Sequence, residues 1–389
     1  MTTTANTVTP EGSTEPRTAA PRTAAPRTAE LRAVAARWAE RTEAERRLPA
    51  EVVTALRDAG FARHLVPARW GGTEGSFTAL LEAVAEVGES CASTAWNAAV
   101  HAILGRMVSH LPEKGRQAVW GRGPDDLFAG SIAPAGEVTA VDGGHRLSGR
   151  WPFASGVDHA SWTLLGAMSP GPEYRFFMVP RADYRVLDTW TNVGLSGTGS
   201  NAVALDDVFV PGHLSFAQAE LMTGAAAEEA SCPRIPFKLV NGLTFVAPVL
   251  GAARGALRSS AARLAVKTEI TGTATRADPA VHTALARAGA EIDAAQLLLE
   301  RAAAAADGGA AGALERARAP RDFAFAAELL GAAVDRLFRI GGARSQTMSD
   351  PVQRAWRDVN CAAGHAVLQF GPAAGVFTTH LMDGVHQDV

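Results

Sequence analysis

The sequence predicts an α+β protein whose chain runs through a helical domain, a small β-domain and a second helical domain. Apolar residues recur at three- to four-residue spacing over residues 30–126 and again over 216–389, which is typical of helices that bury one face. Over residues 127–215 the pattern changes to short alternating runs separated by turn residues, which is typical of strands. This order predicts three structured domains that follow a tail at residues 1–29.

The composition excludes several classes of protein. Of 389 residues, 47% are hydrophobic and 20% charged, so the chain can bury a substantial core. A net charge of −3 gives no electrostatic basis for binding nucleic acid or an anionic membrane. Three distant cysteines form no C-x-x-C pair, so neither a disulfide framework nor a metal site is predicted. The longest charge-free apolar stretch, residues 239–253, is shorter than the roughly 20 residues that span a bilayer, and we expect a soluble cytoplasmic protein.

The tail at residues 1–29 has low complexity. The sequence P-R-T-A begins at Pro16, Pro21 and Pro26, and no apolar region follows the basic residues, so the tail is not a secretory signal. With almost no large apolar side chains it cannot offset the entropy of ordering, and we expect it to be disordered. An interaction tail is the alternative.

The first helical domain carries local start and stop signals. Apolar residues from Leu31 to Trp38 lie on one helical face, Pro49 stands where a first helical turn tolerates proline, and Gly60 is placed to end a helix. The apolar-rich segment at residues 77–108 predicts further helix.

The two later domains have equally local signals. An Asp142-Gly143 pair predicts the turn of a β-hairpin. Further strands are expected at residues 162–165, 176–179, 184–187 and 202–210. A Gly/Ala-rich connector to residue 236 follows, and helices are then expected at residues 239–264, 279–306, 323–340 and 352–370.

A narrow polar stripe runs along the helix predicted within residues 77–108. Ser93, Asn97, His101 and Gly105 recur every four residues on an otherwise apolar segment. One interpretation is a buried histidine whose hydrogen bond is satisfied by Asn97. The other is a pocket wall, in which Asn97 and His101 bind a substrate and His101 deprotonates its hydroxyl group.

Residues 197–202 match the G-x-G-x-x-A pattern of dinucleotide-binding loops, but the context is wrong. That pattern needs a following helix whose N-terminus holds the pyrophosphate, whereas an alternating strand sequence follows here. We therefore reject a Rossmann domain. The chain also contains no G-x-S-x-G, H-E-x-x-H or P-loop motif.

Two stretches, together with the order of the domains, resemble the acyl-CoA dehydrogenase fold. Residues 65–72 (L-V-P-A-R-W-G-G) are similar to a loop of that family, and residues 190–200 (W-T-N-V-G-L-S-G-T-G-S) are similar to its middle domain. The resemblance spans roughly residues 30–385. It implies an N-terminal helical domain, a β-barrel-like middle domain, a C-terminal four-helix bundle and assembly as a homotetramer.

Two further segments resemble one branch of this fold, the two-component flavin-dependent monooxygenases that hydroxylate phenols and polyketides. They are residues 151–160 (W-P-F-A-S-G-V-D-H-A) and residues 350–358 (D-P-V-Q-R-A-W-R-D), with His365 seven residues on. Where many dehydrogenases carry a glutamate in Y-E-G-T to remove the substrate α-proton, residues 364–367 are G-H-A-V. Residues 266–273 lack the arginine and Phe-Gly that grip FAD in the dehydrogenases, so we expect weak flavin binding.

The resemblance also implies roles for individual residues. Ser155 would contact the nitrogen of the central flavin ring, since a hydroxyl group can both donate and accept a hydrogen bond. His365, protonated by the nearby negative charge of the reduced flavin, would hold and protonate the oxygen of a flavin hydroperoxide. The expected catalytic residues are thus His365, His101 and Ser155. The expected cofactor-binding residues are Trp151, Phe153, Ala154, Ser155, Gly156, Trp190, Thr198 and Ser200.

The resemblance therefore implies an enzyme that uses FMNH2 or FADH2 from a separate reductase, together with O2. Its expected substrate is an aromatic or polyketide-type small molecule of secondary metabolism, as in antibiotic biosynthesis. Two alternatives on the same fold are an N-oxygenase of an amine or amino sugar and an acyl-CoA dehydrogenase. A third, from a different class, is a catalytically silent binding module; the polar stripe, Ser155 and His365 argue against it.

Overall fold

A computed structural model gives the structure of the protein and describes residues 25–225, 232–268, 274–309 and 311–385. The N-terminal domain is helical, as the apolar spacing predicts. They are α1 (Thr28–Glu45), α2 (Ala50–Ala59), α3 (Phe77–Gly88), α4 (Ala92–Met107) and α5 (Glu113–Trp120). The first helix begins at Thr28, inside the stretch at residues 1–29 that we expected to be a tail; residues 1–24 lie outside the described residues.

Local chemistry fixes several ends of these helices. Gly60 ends α2 in the left-handed conformation (φ 82°), which confirms the predicted stop. Pro49 stands immediately before α2 rather than within its first turn. The hydroxyl of Ser76 accepts a hydrogen bond of 3.1 Å from the backbone N–H of Ala79 and so caps α3.

The middle domain consists of two four-stranded sheets. Their strands are β1 (Phe128–Ser131), β2 (Glu137–Val141), β3 (Gly144–Ala154), β4 (Trp162–Ser169), β5 (Glu173–Pro180), β6 (Arg185–Leu187), β7 (Asn201–Pro211) and β8 (Ser215–Ala217). One sheet has the order β1-β4-β5-β8 and the other β2-β3-β7-β6. The Asp142-Gly143 turn joins β2 to β3 as predicted, with Gly143 at φ 76°. The barrel-like domain is thus built as two sheets.

The C-terminal domain is a bundle of long helices. After α6 (Gln218–Thr223) and α7 (Phe237–Val240) come α8 (Leu243–Val266), α9 (Pro279–Asp307), α10 (Ala313–Ile340), α11 (Pro351–Ala363) and α12 (Phe370–Val385). Helices α8 to α11 pack against one another, and α12 packs against α10.

The C-terminal domain departs from the expected elements in three places. Helix α10 begins ten residues before the predicted residue 323, at Ala313. The single helix expected at residues 352–370 is wrong, because the chain leaves the helix at Gly364 and starts a new one at Phe370. The connector before residue 236 contains β8 and α6, while residues 226–231 lie outside the described part.

Helices α7 and α8 form the centre of the molecule. By length and apolar composition alone, the segment Phe237–Val266 could cross a membrane. In its most apolar window, however, 83% of the residues are buried inside the protein. This segment is therefore a core helix that packs against α3, α4, α10 and α11.

Candidate active site

A cavity of about 760 Å³ lies where the three domains meet. Helix α4 supplies one side, the loops of the β-domain a second, and α7, α8 and the segment after α11 a third. The lining consists of Trp96, Val100, Ile103, Leu104, Met107, Gly130, Ser131, Ile132, Ala133, Pro152, Phe153, Ser155, Trp190, Asn192, Leu195, Thr198, Ser200, Phe237, Asn241, Thr244, Phe245, Cys361, Gly364, His365, Ala366 and Val367.

One face of α4 runs along the length of this cavity. Its lining residues Trp96, Val100, Ile103, Leu104 and Met107 are spaced by one to four positions, so they share a helical face. From Trp96 to Met107 a helix rises about 16 Å. The cavity is therefore an elongated space with an apolar helix as its longest wall.

Three hydroxyl groups of the β-domain are linked at one end of the cavity; we call Ser155, Ser200 and Thr198 the hydroxyl chain. The Oγ of Ser155 lies 2.7 Å from the Oγ of Ser200, which lies 2.7 Å from the Oγ1 of Thr198. The indole N–H of Trp96 donates to Ser155 at 3.0 Å, and Thr198 donates to the carbonyl of Leu195 at 2.8 Å. An indole can only donate and a carbonyl can only accept.

These fixed ends set the direction of every bond in the hydroxyl chain. Because the single proton of Thr198 goes to a carbonyl, Thr198 must accept from Ser200, and Ser200 must in turn accept from Ser155. Ser155 thus accepts from Trp96 and donates to Ser200. The one hydrogen-bonding position that Ser155 has left is a lone pair.

The loop that ends the hydroxyl chain is held by α11. Leu195 has a left-handed backbone (φ 52°), and its N–H donates to the carboxylate of Asp358 at 2.6 Å. Its carbonyl also accepts from the indole of Trp190 at 3.0 Å. Burial raises the pKa of Asp358 to about 6, opposed by the Leu195 N–H and by Arg354 and Arg357. Asp358 is therefore a positioning residue, which ties the β-domain loop to the helical bundle.

His365 lies opposite, in the segment after α11. Its Nδ1 accepts a hydrogen bond of 3.2 Å from the N–H of Val367, so in the neutral ring the proton is on Nε2. The ring stacks on Phe245 with centroids 3.8 Å apart, and Trp96 meets it edge-on at 6.1 Å. Burial lowers the pKa of His365 to about 4. In the free protein the ring is therefore neutral. The protonated imidazole that we expect concerns the complex with reduced flavin and stays a prediction.

The polar stripe of α4 does not face the cavity. Asn97 and His101 are absent from its lining and are buried. The amide of Asn97 donates to the carbonyls of Ser93 at 3.1 Å and Thr198 at 3.4 Å. A Cβ atom at Gly156 would lie 2.5 Å from the Oδ1 of Asn97, so only glycine allows this close packing. The stripe thus packs against the β-domain loops at Gly156 and Thr198, on the face of α4 that does not line the cavity.

His101 is satisfied by the backbone rather than by Asn97. Its Nδ1 lies 2.7 Å from the carbonyl of Phe128, at the start of β1. Burial lowers the pKa of His101 to about 4, so this ring is also neutral. The expected substrate contacts of Asn97 and His101 are therefore not present in the structure.

The residues expected to bind a cofactor divide into two groups. Three of them do not line the cavity: Ala154 is buried, Gly156 packs on α4, and the indole of Trp151 donates to the carbonyl of Gly166 at 2.8 Å inside the β-domain. The residues that do line it are Phe153, Ser155, Trp190, Thr198 and Ser200.

Phe153 is strained and exposed at the edge of the cavity. It has φ 63°, a conformation that L-residues rarely adopt, and 68% of it is accessible to solvent. Its ring meets Trp190 edge-on at 6.2 Å. Such strain is concentrated at ligand-binding sites, where surrounding structure maintains it.

Several lining residues were missed by sequence reasoning. Phe237, Asn241, Thr244 and Phe245 come from α7 and α8, where an apolar run indicates core but not which side chains face a cavity. The hydroxyl of Thr244 is buried and has no hydrogen-bond partner in the described structure. No local pattern marks these positions.

The lining fits a flavin ring system. Aromatic and aliphatic side chains supply most of the surface. Ser155, with one lone pair left, and His365, with a proton on Nε2, both line it. Among the residues that the structure describes, no charged side chain lines the cavity and no cluster of three or more His, Cys, Asp or Glu residues is suited to a metal. Part of the stretch 266–273, which lacks the FAD-gripping element of the dehydrogenases, lies outside the described ranges.

Comparison with known proteins agrees with this geometry. Family models described as acyl-CoA dehydrogenase N-terminal and C-terminal domains match residues 22–118 and 243–370. The flavin-dependent monooxygenase oxygenase subunit HsaA of Mycobacterium tuberculosis is 34% identical, over 88% of this chain and 91% of that protein. The oxygenase component of the FADH2-dependent resorcinol hydroxylase of Rhizobium sp. is 35% identical, over 85% and 87%. XiaF from Streptomyces sp., solved with FADH2 and glycerol, superposes with a TM-score of 0.83 at 28% identity, over 92% of this chain and 96% of that one.

These matches show that the chain belongs to the acyl-CoA dehydrogenase family, whose fold it adopts. Within that family it belongs to the oxygenase components of the flavin-dependent monooxygenases, and it is an oxidoreductase. The expected fold and branch are thereby confirmed.

Proposed function

We propose that this chain hydroxylates an aromatic or polyketide-type small molecule with O2, using FMNH2 or FADH2 from a separate reductase. The observation that carries the proposal is the pairing, across one apolar cavity, of the hydroxyl chain with the neutral His365 ring. The names of the relatives support it, since they describe an oxygenase subunit and a resorcinol hydroxylase.

The β-domain would hold the flavin. When bound, the reduced flavin supplies the two electrons that activate O2. The lone pair of Ser155 accepts a hydrogen bond, which suits the central-ring nitrogen in the reduced flavin because only the reduced form carries a proton there. Phe153 and Trp190 offer aromatic surface at the edge of the cavity.

His365 would act on the oxygen. Its Nε2 proton can donate a hydrogen bond to a peroxide oxygen and stabilise charge that develops there. Phe245 and Trp96 fix the orientation of the ring. The apolar face of α4 excludes water, which would otherwise divert the activated oxygen to hydrogen peroxide.

The geometry disfavours the two alternatives on this fold. An acyl-CoA dehydrogenase needs a base in the cavity, but Nδ1 of His365 is engaged by Val367 and Nε2 carries a proton. An amine substrate would bring a positive charge into a cavity whose described lining holds no carboxylate.

Assembly and location are part of the proposal. We propose a homotetramer in the cytoplasm, active in secondary metabolism such as antibiotic biosynthesis, and nearly colourless when purified because flavin is bound weakly. Exposed apolar side chains of α9, α10 and α12 support assembly: Leu297, Phe325, Phe370, Val376, Leu381 and Met382. A yellow monomer on gel filtration, with one flavin bound per chain, would contradict both the tetramer and the weak flavin binding.

Oxygen uptake tests the proposed reaction. Chemically reduced FMN or FAD is supplied to the protein with a panel of phenols, polyketides and amines, and product is measured by mass spectrometry. We expect oxygenated phenol or polyketide and no reduction of an artificial electron acceptor by acyl-CoAs of any length in the presence of oxidised FAD. Catalytic dye reduction with an acyl-CoA, or oxygenation of amines alone, would overturn the proposal.

A further inference from the structure

The geometry points to an uncharged phenol of two fused rings as the substrate, with its hydroxyl group bound by Thr244. This inference rests on the proposed function and names the substrate class of the same cavity. It is carried by the length of the apolar part of the cavity, by the absence of charge from the described lining, and by one unpartnered hydroxyl.

The cavity has a flavin end and an inner end. At one end Trp96 of α4 lies 5.1 Å from Phe245, measured between ring centroids, and bonds to Ser155. At the other end of α4, Arg106 donates to the carbonyl of Cys232 at 2.7 Å. The segment from Cys232 to Phe245 therefore runs antiparallel to α4, and Phe237 lines the cavity far from Ser155.

The inner end of the cavity is apolar, and its length along α4 exceeds that of one aromatic ring. We call it the inner compartment. From Val100 to Met107, α4 rises about 10 Å. The inner compartment is lined by Val100, Ile103, Leu104, Met107, Ile132 and Phe237.

Volume limits the size of the occupant. A cavity of about 150 Å³ is enough to hold benzene. On that scale the three rings of a flavin take at most roughly 450 Å³. Of about 760 Å³, this leaves roughly 310 Å³, which is room for two further fused rings.

Charge limits its chemistry. Burying a carboxylate or an ammonium group without a partner is strongly unfavourable. The described lining of the cavity contains no Lys, Arg, Asp or Glu side chain. A carboxylated analogue of a neutral substrate should therefore bind much more weakly.

Thr244 supplies the polar recognition. Thr244 lines the cavity, and its buried hydroxyl has no hydrogen-bond partner among the described residues. A hydroxyl can donate and accept at once, which matches a phenol. Thr244 also precedes Phe245, the residue on which His365 stacks, so it lies close to the site of oxygen transfer.

Equilibrium binding tests the inference without turnover. Isothermal titration calorimetry under nitrogen, with and without reduced FMN, measures the affinity for phenol, naphthalene, 2-naphthol and 6-hydroxy-2-naphthoate. We expect 2-naphthol to bind at least tenfold more tightly than phenol and than the carboxylated naphthol. Equal or tighter binding of phenol or of 6-hydroxy-2-naphthoate, or no binding of 2-naphthol, overturns the inference.

Variants test the recognition by Thr244. Thr244→Val keeps the shape of the side chain. It should weaken the binding of 2-naphthol three- to tenfold and leave the binding of naphthalene unchanged. Thr163→Val is the matched control, because Thr163 is also buried with an unpartnered hydroxyl but does not line the cavity. If T244V weakens the binding of both ligands equally, or if T163V has the same effect as T244V, Thr244 does not bind the hydroxyl group of the substrate.

A charge introduced into the inner compartment tests the electrostatic part. Leu104→Arg should reverse the preference, so that 6-hydroxy-2-naphthoate binds more tightly than 2-naphthol; unchanged discrimination in a folded variant overturns that part. Failure of the two proposals can be told apart. Binding in the expected order without oxygenation of any phenol contradicts the proposed function, whereas oxygenation with the reverse order of binding contradicts only the substrate class.

Discussion

The two sides of the cavity differ in how many hydrogen bonds they leave open. On the β-domain side, Ser155, Ser200 and Thr198 form a directed series of bonds that ends on a carbonyl. On the side of the helical bundle, His365 has an Nε2 proton available for a hydrogen bond. The hydroxyl of Thr244 has no hydrogen-bond partner among the described residues. A side whose bonds are already set is suited to hold one ligand in one orientation. A side with open positions is suited to groups that arrive during the reaction.

This difference suggests a division of labour. The hydroxyl chain is rigid and offers one acceptor, so under the proposed function it selects the redox state of the flavin. The opposite side offers donors, which suit a peroxide oxygen and a substrate hydroxyl.

The largest effect is expected at His365. His365→Ala removes the Nε2 proton, and we expect the product formed per flavin oxidised to fall about 100-fold, since a positioned proton donor contributes on this scale. Flavin would still be oxidised, with the oxygen released as hydrogen peroxide. His365→Gln, which keeps an N–H donor, should restore part of the coupling. His282→Ala, at an exposed position on α9, is the control; unchanged coupling in H365A would make His365 purely structural.

The second effect concerns stability and tests the buried His101. The folded pKa of His101 is about 4, below the ordinary value of 6.5, so the unfolded chain binds the proton more readily. The free energy of unfolding should therefore fall as the pH drops from 6.5 towards 4, by about 3 kcal/mol from this residue. Chemical denaturation of the wild type and His101→Asn at a series of pH values measures it. An identical pH dependence in the two proteins would contradict the assignment.

A smaller effect is expected at the hydroxyl chain. Ser155→Ala removes the acceptor that faces the cavity and should weaken the binding of reduced FMN three- to tenfold, as expected for one neutral hydrogen bond. Anaerobic titration gives the dissociation constant. Ser196→Ala is the control, because Ser196 is a half-buried serine of the same loop that does not line the cavity. Equal affinity of S155A and the wild type for reduced FMN would mean that Ser155 does not contact the flavin.

The smallest effect should be a change in redox preference. Ser200→Ala frees the proton of Ser155, which could then donate to the unprotonated nitrogen of oxidised flavin. We expect the ratio of the dissociation constants for oxidised and reduced FMN to fall roughly threefold. A ratio that stays constant would mean that the direction of the hydroxyl chain does not set the preference.

Much of the β-domain side was predictable because its determinants are local. The turn at Asp142-Gly143 and the strand after residue 200 follow from a few neighbouring residues. Ser155, Thr198 and Ser200 lie in loops where small polar residues are conspicuous, and their resemblance to one family assigned them to the cofactor. Their bond directions needed the structure, because Trp96 comes from another domain.

The helical side was less predictable because its determinants are distant in sequence. The periodicity of α4 separates a polar from an apolar face but does not say which one meets the cavity. Both interpretations of His101 were therefore open, and the structure places this residue outside the cavity lining. The charge of His365 depends on burial by Phe245, which lies 120 positions earlier. Thr244 sits in an apolar run, where sequence alone indicates only a core helix.

The central claim is that His365 directs activated oxygen into the substrate, and a single turnover with ¹⁸O2 tests it most directly. Wild-type protein and H365A, each saturated with reduced FMN under nitrogen, are mixed with ¹⁸O2 buffer and with the phenol that gives the highest oxygen uptake. Labelled product and hydrogen peroxide are then counted per flavin oxidised. We expect the wild type to incorporate close to one ¹⁸O atom per flavin and H365A to release nearly all of it as labelled peroxide. Equal incorporation by the two proteins, or product without ¹⁸O in the wild type, would contradict the claim.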